Sequence, residues 1–294
     1  MSKGRRAVLG IVALAGVIAA IALARPVASR GYSNLAMVAL YRRAHAGATA
    51  PSASGDIAQA EALLARALAL DAANRAAYRG LGFVRWEQGA REEAGAEWMR
   101  GGVPAADFVR AGRQAQQAGN TARARDWYER AMFTEPDASE HYVRLAILYE
   151  SDEEWETALS LYERALSVAS FSSVAMERRA HLGRANTLRN LGRAAETLPD
   201  YEWLVANAPD YYWGYVRLGD LVWKEQGDAA RAERLLLQAV DLDPNNKWAY
   251  RSLAALYEET GRLADAEAMF RKVLELDPDD ATAARGLKRL ATKK

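Results

Sequence analysis

The chain has no cysteine in its 294 residues. That one absence excludes disulfides, thiolate metal sites, a cysteine nucleophile and a lipid-modified N-terminal cysteine together, and it leaves the redox compartment unreadable from thiols. Histidine is almost as scarce, with three: His45, His141 and His181. They fall in a loop and on two separate predicted helices, none with a second histidine at metal-ligand spacing, so each reads as a solvated or packing residue. A surplus of charge is missing too. The net charge of +1 gives no global pull toward nucleic acid, and no nucleic-acid partner is expected.

Catalytic signatures are equally thin. No P-loop and no Gly-x-Ser-x-Gly elbow occurs. Gly80-Leu81-Gly82 begins like a phosphate-binding glycine motif, but Arg85 stands where the next glycine belongs, and the glycines lie within a helical pattern rather than after a strand. Asp152-Glu153-Glu154 reads as a solvated acidic turn between two helices. The chain is therefore expected to be non-enzymatic, with no catalytic residue, metal ligand or cofactor.

What is present is a repeat of about 34 residues over most of the chain, built on a composition of 50% hydrophobic and 26% charged residues that suffices for a continuous core. In the clearest copy Tyr250, Leu253 and Tyr257 mark one face of a first helix, Gly261 turns the chain, and Ala266, Phe270 and Val273 mark a second helix. Asp277-Pro278 ends it, because proline disfavours helical geometry in the residue before it. The copy upstream repeats this with Tyr215, Leu218, Gly219, Val222, Ala232, Leu236 and Pro244. Small residues such as Gly219, Ala232, Ala254 and Ala266 are expected where the two helix backbones cross.

This pattern resembles the tetratricopeptide repeat family. The resemblance implies an all-α, right-handed α-solenoid of about seven helical hairpins, with units near 32–74, 75–104, 105–138, 139–177, 178–211, 212–246 and 247–280. A polar capping helix over 281–294 closes the stack. Three units depart from the pattern. The first is split by a Gly/Pro/Ser-rich stretch from His45 to Asp56 that reads as a flexible loop. The second is short and ends at Gly101-Gly102-Val103-Pro104, where a sharper bend is expected. The fifth has Arg184 in an apolar slot, Thr197 where alanine is usual and Pro199 inside its second helix, which predicts a kink.

Ahead of the repeats, a basic tail (1–6, with Lys3, Arg5 and Arg6) precedes the uncharged run Ala7 to Ala24, with a linker over 25–31. As a helix the run reaches about 27 Å, close to the roughly 30 Å hydrocarbon core of a bilayer. It exceeds the usual signal-peptide core, so a transmembrane signal anchor is the favoured reading. The alternative is a signal peptide cleaved after Ala22-Leu23-Ala24, which would release a secreted chain. A single-pass membrane protein with its repeats outside the cytoplasm is expected, and the Ala/Arg-rich composition gives the impression of a bacterial envelope protein.

The family's architecture implies that first helices line a concave groove. On this chain the groove slots predict a partner-binding set of Arg79, Phe83, Trp86, Arg113, Arg179, Asn186, Arg189, Trp213, Asp220, Trp223, Lys224, Trp248 and Arg251. Indoles with nearby arginines are the residue types enriched at binding hot spots. The family's clamp for chaperone C-terminal carboxylates is not reproduced, since Leu182 stands where its lysine belongs and Trp248 where a later basic residue belongs. The expected function is a membrane-tethered scaffold that docks a protein segment, in the assembly of an envelope system. Two alternatives stand beside it: a structural subunit whose arrays stack as a homo-oligomer, and an accessory protein of surface-polysaccharide machinery that binds glycans through its tryptophans or supports an enzyme.

Overall fold

In the computed structural model residues 22, 24–41, 53–168 and 170–292 are described. The first helix, α1, spans 24–41. It is followed by α2 (Ala53–Leu70), α3 (Arg75–Glu87), α4 (Arg91–Arg100), α5 (Ala105–Gln117), α6 (Thr121–Thr134), α7 (Ser139–Ser151) and α8 (Trp155–Val168). Then come α9 (Val174–Asn190), α10 (Leu198–Asn207), α11 (Tyr212–Leu221), α12 (Ala229–Leu242), α13 (Lys247–Glu259), α14 (Leu263–Leu276) and α15 (Ala281–Ala291). Among the described residues no strand occurs. The chain divides into two compact units, Met1–Asp137 and Ala138–Lys294.

The expectation for the N-terminus is corrected. Among the described residues no helix is long and apolar enough to cross a membrane. Apart from residues 22 and 24, the run 7–24 lies outside the described residues, as does 45–52 of the expected loop, whose last residues, 53–56, belong to α2 instead. The stretch taken as a linker, 25–31, belongs to α1, and that helix is amphipathic rather than uniformly apolar. It carries Arg25 and Arg30 and buries Ser29, Ser33, Ala36 and Ala39. Buried hydroxyls need partners. Here Asn74 Nδ2 donates to Ser29 Oγ (2.7 Å) and Ser33 Oγ (3.0 Å), Ser29 donates to the Ala67 carbonyl (2.8 Å), and Asn74 Oδ1 caps α3 at the Ala77 amide. The helix is thus tied by polar groups to the hairpin that follows it.

The N-terminal unit is centred on aromatic rings. Trp86, Trp98 and Phe108 are buried, with Phe83, Trp127 and Phe133 packed against them; Trp98 and Phe108 lie 4.8 Å apart between centroids. Arg130 is only 8% exposed within this cluster, its guanidinium 4.7 Å from the Trp127 ring centre and 5.0 Å from that of Trp86, and it pairs with Asp126 at 2.9 Å. Burial holds its pKa below the ordinary arginine value, and the charge is kept by Asp126 and the ring faces.

Close packing explains the small residues, with one difference from the sequence reading. A methyl group added at Gly183 would overlap the Tyr162 ring, so this glycine accommodates a side chain rather than a second backbone. At Gly95 the neighbour is backbone: a methyl there would overlap the Phe133 carbonyl, so α4 lies directly on α6.

In the C-terminal unit three irregularities have local causes. Pro199 falls in the first turn of α10, where its missing N–H has no helical acceptor to lose, and a 3-10 turn at Ala194–Thr197 precedes it. Arg184, the misfit in an apolar slot, reaches Asp200, which is fully buried. Arg184 Nε donates to Oδ2 at 2.9 Å, and His181 Nδ1 lies 2.7 Å from Oδ1. Further on, α11 passes into a π-helical turn, Val222–Gln226, closed by Gly227 at φ 68°. Gly227 stands fifteen residues after Tyr212, whereas Gly261 stands fourteen after Lys247. The wider turn absorbs the additional residue without breaking the hairpin.

Candidate functional site

The residues expected to line a groove separate by unit. In the N-terminal unit Trp86 is 3% exposed, donates Nε1–H to Asp126 (2.7 Å) and carries Arg91 over its ring at 3.8 Å, so it belongs to the core. Phe83 packs edge-on against Trp98. Arg79 is exposed but donates Nε–H to the Gly101 carbonyl (2.9 Å), and Arg113 is exposed.

The C-terminal unit brings the others together. Arg179, Leu182, Asn186 and Arg189 follow one another along one face of α9 at spacings of three, four and three residues. With Tyr201 from α10, Tyr211 just before α11, and Trp213 and Arg217 from α11, they line an open cavity of about 200 Å³. Arg217 lies over the Trp213 ring at 5.1 Å and Arg178 over Tyr211 at 5.7 Å. Trp213 in turn lies 6.1 Å from Trp248 on α13, whose ring carries Arg251 at 4.6 Å and Lys247 at 5.3 Å. Trp248 is 43% exposed. The result is an aromatic strip bordered by cations, running from α9 to α13.

The cations differ in how they are held. Lys247 pairs with Asp277, and Arg251 lies 3.6 Å from Asp280, whose carboxylate caps α15. Arg179, Arg189 and Arg217 have no carboxylate within ion-pair distance among the described residues. Arg189 instead lies near the Tyr201 hydroxyl, whose pKa burial raises despite the nearby guanidinium groups. Asp220 is largely buried near Ser252, Lys224, Arg217 and Arg189. Burial holds its carboxyl above the ordinary aspartate range, even though the bond to Ser252 and the charges of Lys224, Arg217 and Arg189 pull it down. Trp223, on the π-helical turn, donates Nε1–H to Glu259 (2.6 Å), and Lys224 beside it is exposed.

Position in the repeat did not mark Tyr201, Tyr211, Tyr212, Arg178 or Arg217 as neighbours of this strip. The consecutive aromatics Tyr211-Tyr212-Trp213 were the available signal; Tyr201 lies on a second helix, where the groove rule does not look. His181 and Asp200 form a His–Asp pair, but the carboxylate is engaged by Arg184 and the imidazole is buried, stacked 4.2 Å from Trp203. This is the geometry of a packed ion network. Among the described residues no group of three or more side chains is placed to hold a metal ion.

Comparison with known proteins agrees with this architecture. Three tetratricopeptide repeat models match residues 142–170, 182–247 and 224–291. Over those residues the chain matches tetratricopeptide repeats. Cellulose synthase operon protein C of Pseudomonas fluorescens (strain SBW25) is 26% identical over 224 residues; the match covers 69% of this chain and 17% of that much longer relative. Among solved structures, YrrB, described as a tetratricopeptide repeat protein with an unusual peptide-binding site, is similar with a TM-score of 0.55 and 17% identity over 62% of this chain and 90% of its own. MamA residues 41 to the end from Desulfovibrio magneticus RS-1 gives 0.51 and 19% over 60% of this chain and 97% of its own. These similarities establish the fold. Proteins built of such repeats typically serve as non-enzymatic interaction scaffolds.

Proposed function

We propose that this chain is a non-enzymatic scaffold that docks an extended segment of a protein partner on the aromatic–cationic strip of its C-terminal unit, from Arg179 to Arg251. The observation that carries the reading is the strip itself. Trp213 and Trp248 lie near each other with part of their surface open, next to arginines that no carboxylate engages, and interface hot spots are enriched in tryptophan, tyrosine and arginine. Asn186 lines the same cavity, while Trp86 and Phe83 act in the core. YrrB, a similar structure described as having an unusual peptide-binding site, is in keeping with this reading. A photo-crosslinking amino acid placed at residue 212 of the full chain, beside Trp213, is expected to capture a protein, with the yield cut by Trp213→Ala. Adducts that contain no protein, or a yield indifferent to Trp213, reject the reading.

A second setting is favoured by one observation, the match to a cellulose synthase operon protein over 224 residues. In that setting the chain is an accessory subunit of polysaccharide machinery, and its docked partner is a component of the same operon. Deleting the chain's gene and assaying exported polysaccharide tests it: unchanged polymer output rejects this setting and leaves the docking face as proposed.

A further inference from the structure

The arginines of the cavity say what the docked segment carries. The inference rests on the docking face proposed above and concerns the chemistry of its partner. Several cations of the C-terminal unit are paired where they stand: Arg184 by Asp200, Arg193 by Glu196, Arg231 by Glu202, Arg262 by Glu233 and Asp265, Lys247 by Asp277, and Arg289 by Glu258. Arg179, Arg189 and Arg217 converge on one cavity and have no such partner among the described residues. The chain as a whole is nearly neutral, so this is a local excess of positive charge rather than a property of the surface.

Glu150, which with Arg179 lies near Tyr162, accepts the hydrogen bond of the Tyr162 hydroxyl at 2.7 Å. Asp220 is largely buried with its carboxyl held above the ordinary range, so its charge offsets the three arginines only in part. Guanidinium groups present rigid forks of N–H donors that suit carboxylates, and they form stronger hydrogen bonds to charged acceptors than to neutral ones.

Spacing then limits the ligand. Arg179 and Arg189 are ten residues apart on α9, which at 1.5 Å per residue is about 15 Å. With the side chains standing straight off the helix, the two guanidinium groups address separate carboxylates. An extended chain rises about 3.3 Å per residue, so two acidic side chains about four or five residues apart span the distance. Between the two arginines Asn186 offers a donor and an acceptor together, the pattern that a peptide group complements, and Tyr211 and Trp213 offer ring faces to an apolar side chain. We infer that the Arg179–Arg189–Arg217 cavity recognises an extended acidic segment of a partner protein, with two carboxylates set about four or five residues apart and an apolar side chain between them.

The test uses the full chain and three fluorescein-labelled twelve-residue peptides that share a central leucine: one with glutamates five residues apart, one with lysines at those positions, and one with serines. Fluorescence anisotropy is expected to show the glutamate peptide binding at least about tenfold more tightly than the serine peptide, with the advantage shrinking as salt rises from about 0.05 to 0.5 M. Arg179→Glu with Arg189→Glu should reverse the preference toward the lysine peptide. Both side chains are exposed, so the thermal unfolding of this variant should match the parent and separate lost recognition from lost folding. Moving the two glutamates to adjacent positions should weaken binding. Equal binding of the glutamate and serine peptides, both lost in Trp213→Ala, overturns the acidic inference and leaves the docking face standing. Failure of all three peptides overturns the acidic inference, and the crosslink at residue 212 then decides the docking reading by itself. Tighter binding of a single-stranded oligonucleotide or an oligoglucuronate than of the glutamate peptide overturns the choice of a protein ligand.

Discussion

Trp213 and Trp248, on the first helices of successive repeats, lie with ring centroids 6.1 Å apart and planes inclined by 44°, and Trp248 remains 43% exposed. A half-open ring over which Arg251 and Lys247 already sit contributes little to the core, so its removal should separate binding from stability. Trp248→Ala is expected to weaken the glutamate peptide by about 30-fold, the equivalent of about 2 kcal/mol at a hot spot. The same change should lower unfolding stability by under about 1 kcal/mol. Urea unfolding alongside anisotropy checks both; a stability loss larger than the binding loss would mean that the ring is packing material.

Gly95 makes a sharper statement about packing. In an exposed helix Gly→Ala stabilises by up to about 1 kcal/mol, and Gly55→Ala on α2, with open space around the added methyl, should do so. Gly95→Ala should do the opposite and cost about 1–3 kcal/mol, because the methyl would meet the Phe133 carbonyl on α6 and neither backbone can yield independently. Opposite signs from one chemical change, read by thermal unfolding, are the expected result. Equal signs would mean that α4 and α6 are farther apart.

The buried carboxylate of Asp200 holds Arg184 and His181 at once. Asp200→Asn keeps the shape and removes the charge, leaving Arg184 without its anion in a mostly buried place. A loss of about 3 kcal/mol is expected, in the range found when one partner of a buried pair is removed. The variant should retain helical circular dichroism at low temperature and unfold at lower urea. A loss below 1 kcal/mol would show that solvent reaches Arg184 and replaces the carboxylate.

These cases show where the sequence was readable. Helical period and the alternation of small with large residues specify hairpins because both follow from local geometry, and Tyr250, Leu253 and Phe270 are buried as that pattern requires. Arg184 was visible as a misfit, but its partner Asp200 lies sixteen residues on, and only the packed hairpin shows that the two meet. Pro199 predicted a kink because the start of α10 could not be located from periodicity; at a first turn proline does no damage. The additional residue before Gly227 was present in the spacing and signals the π-helical turn. Trp86 shows the limit of positional rules. Its slot belongs to a groove, yet Trp98, Phe133 and Arg130 enclose it, and two of these, Arg130 and Phe133, come from the next repeat, which periodicity within one repeat does not contain. The membrane expectation rested on a run that is largely outside the described residues, and the helix that begins at residue 24 is amphipathic.

Asp220 gives the pH dependence its sign. Burial holds its carboxyl above the ordinary value of 3.8, outweighing the Ser252 hydrogen bond and the charges of Lys224, Arg217 and Arg189. The folded chain therefore binds this proton more tightly than the unfolded chain does. Between 3.8 and the raised value the unfolded state carries fewer protons at this site, and stability falls as pH rises. The favourable contribution is complete below the unfolded value and is lost once pH passes the folded one. Asp220→Asn removes the titration, so the stability difference, variant minus parent, should increase from acid toward neutral pH and then level off, with the variant the more stable at pH 7. Urea unfolding of both proteins from about pH 3 to 8 measures it; a difference that does not change with pH, or a less stable variant at neutrality, would show that the three cations outweigh burial. The same substitution also removes a negative charge that acts on Arg189 and Arg217. It should therefore tighten the glutamate peptide and leave the serine peptide unchanged, a result that a change in stability alone does not produce.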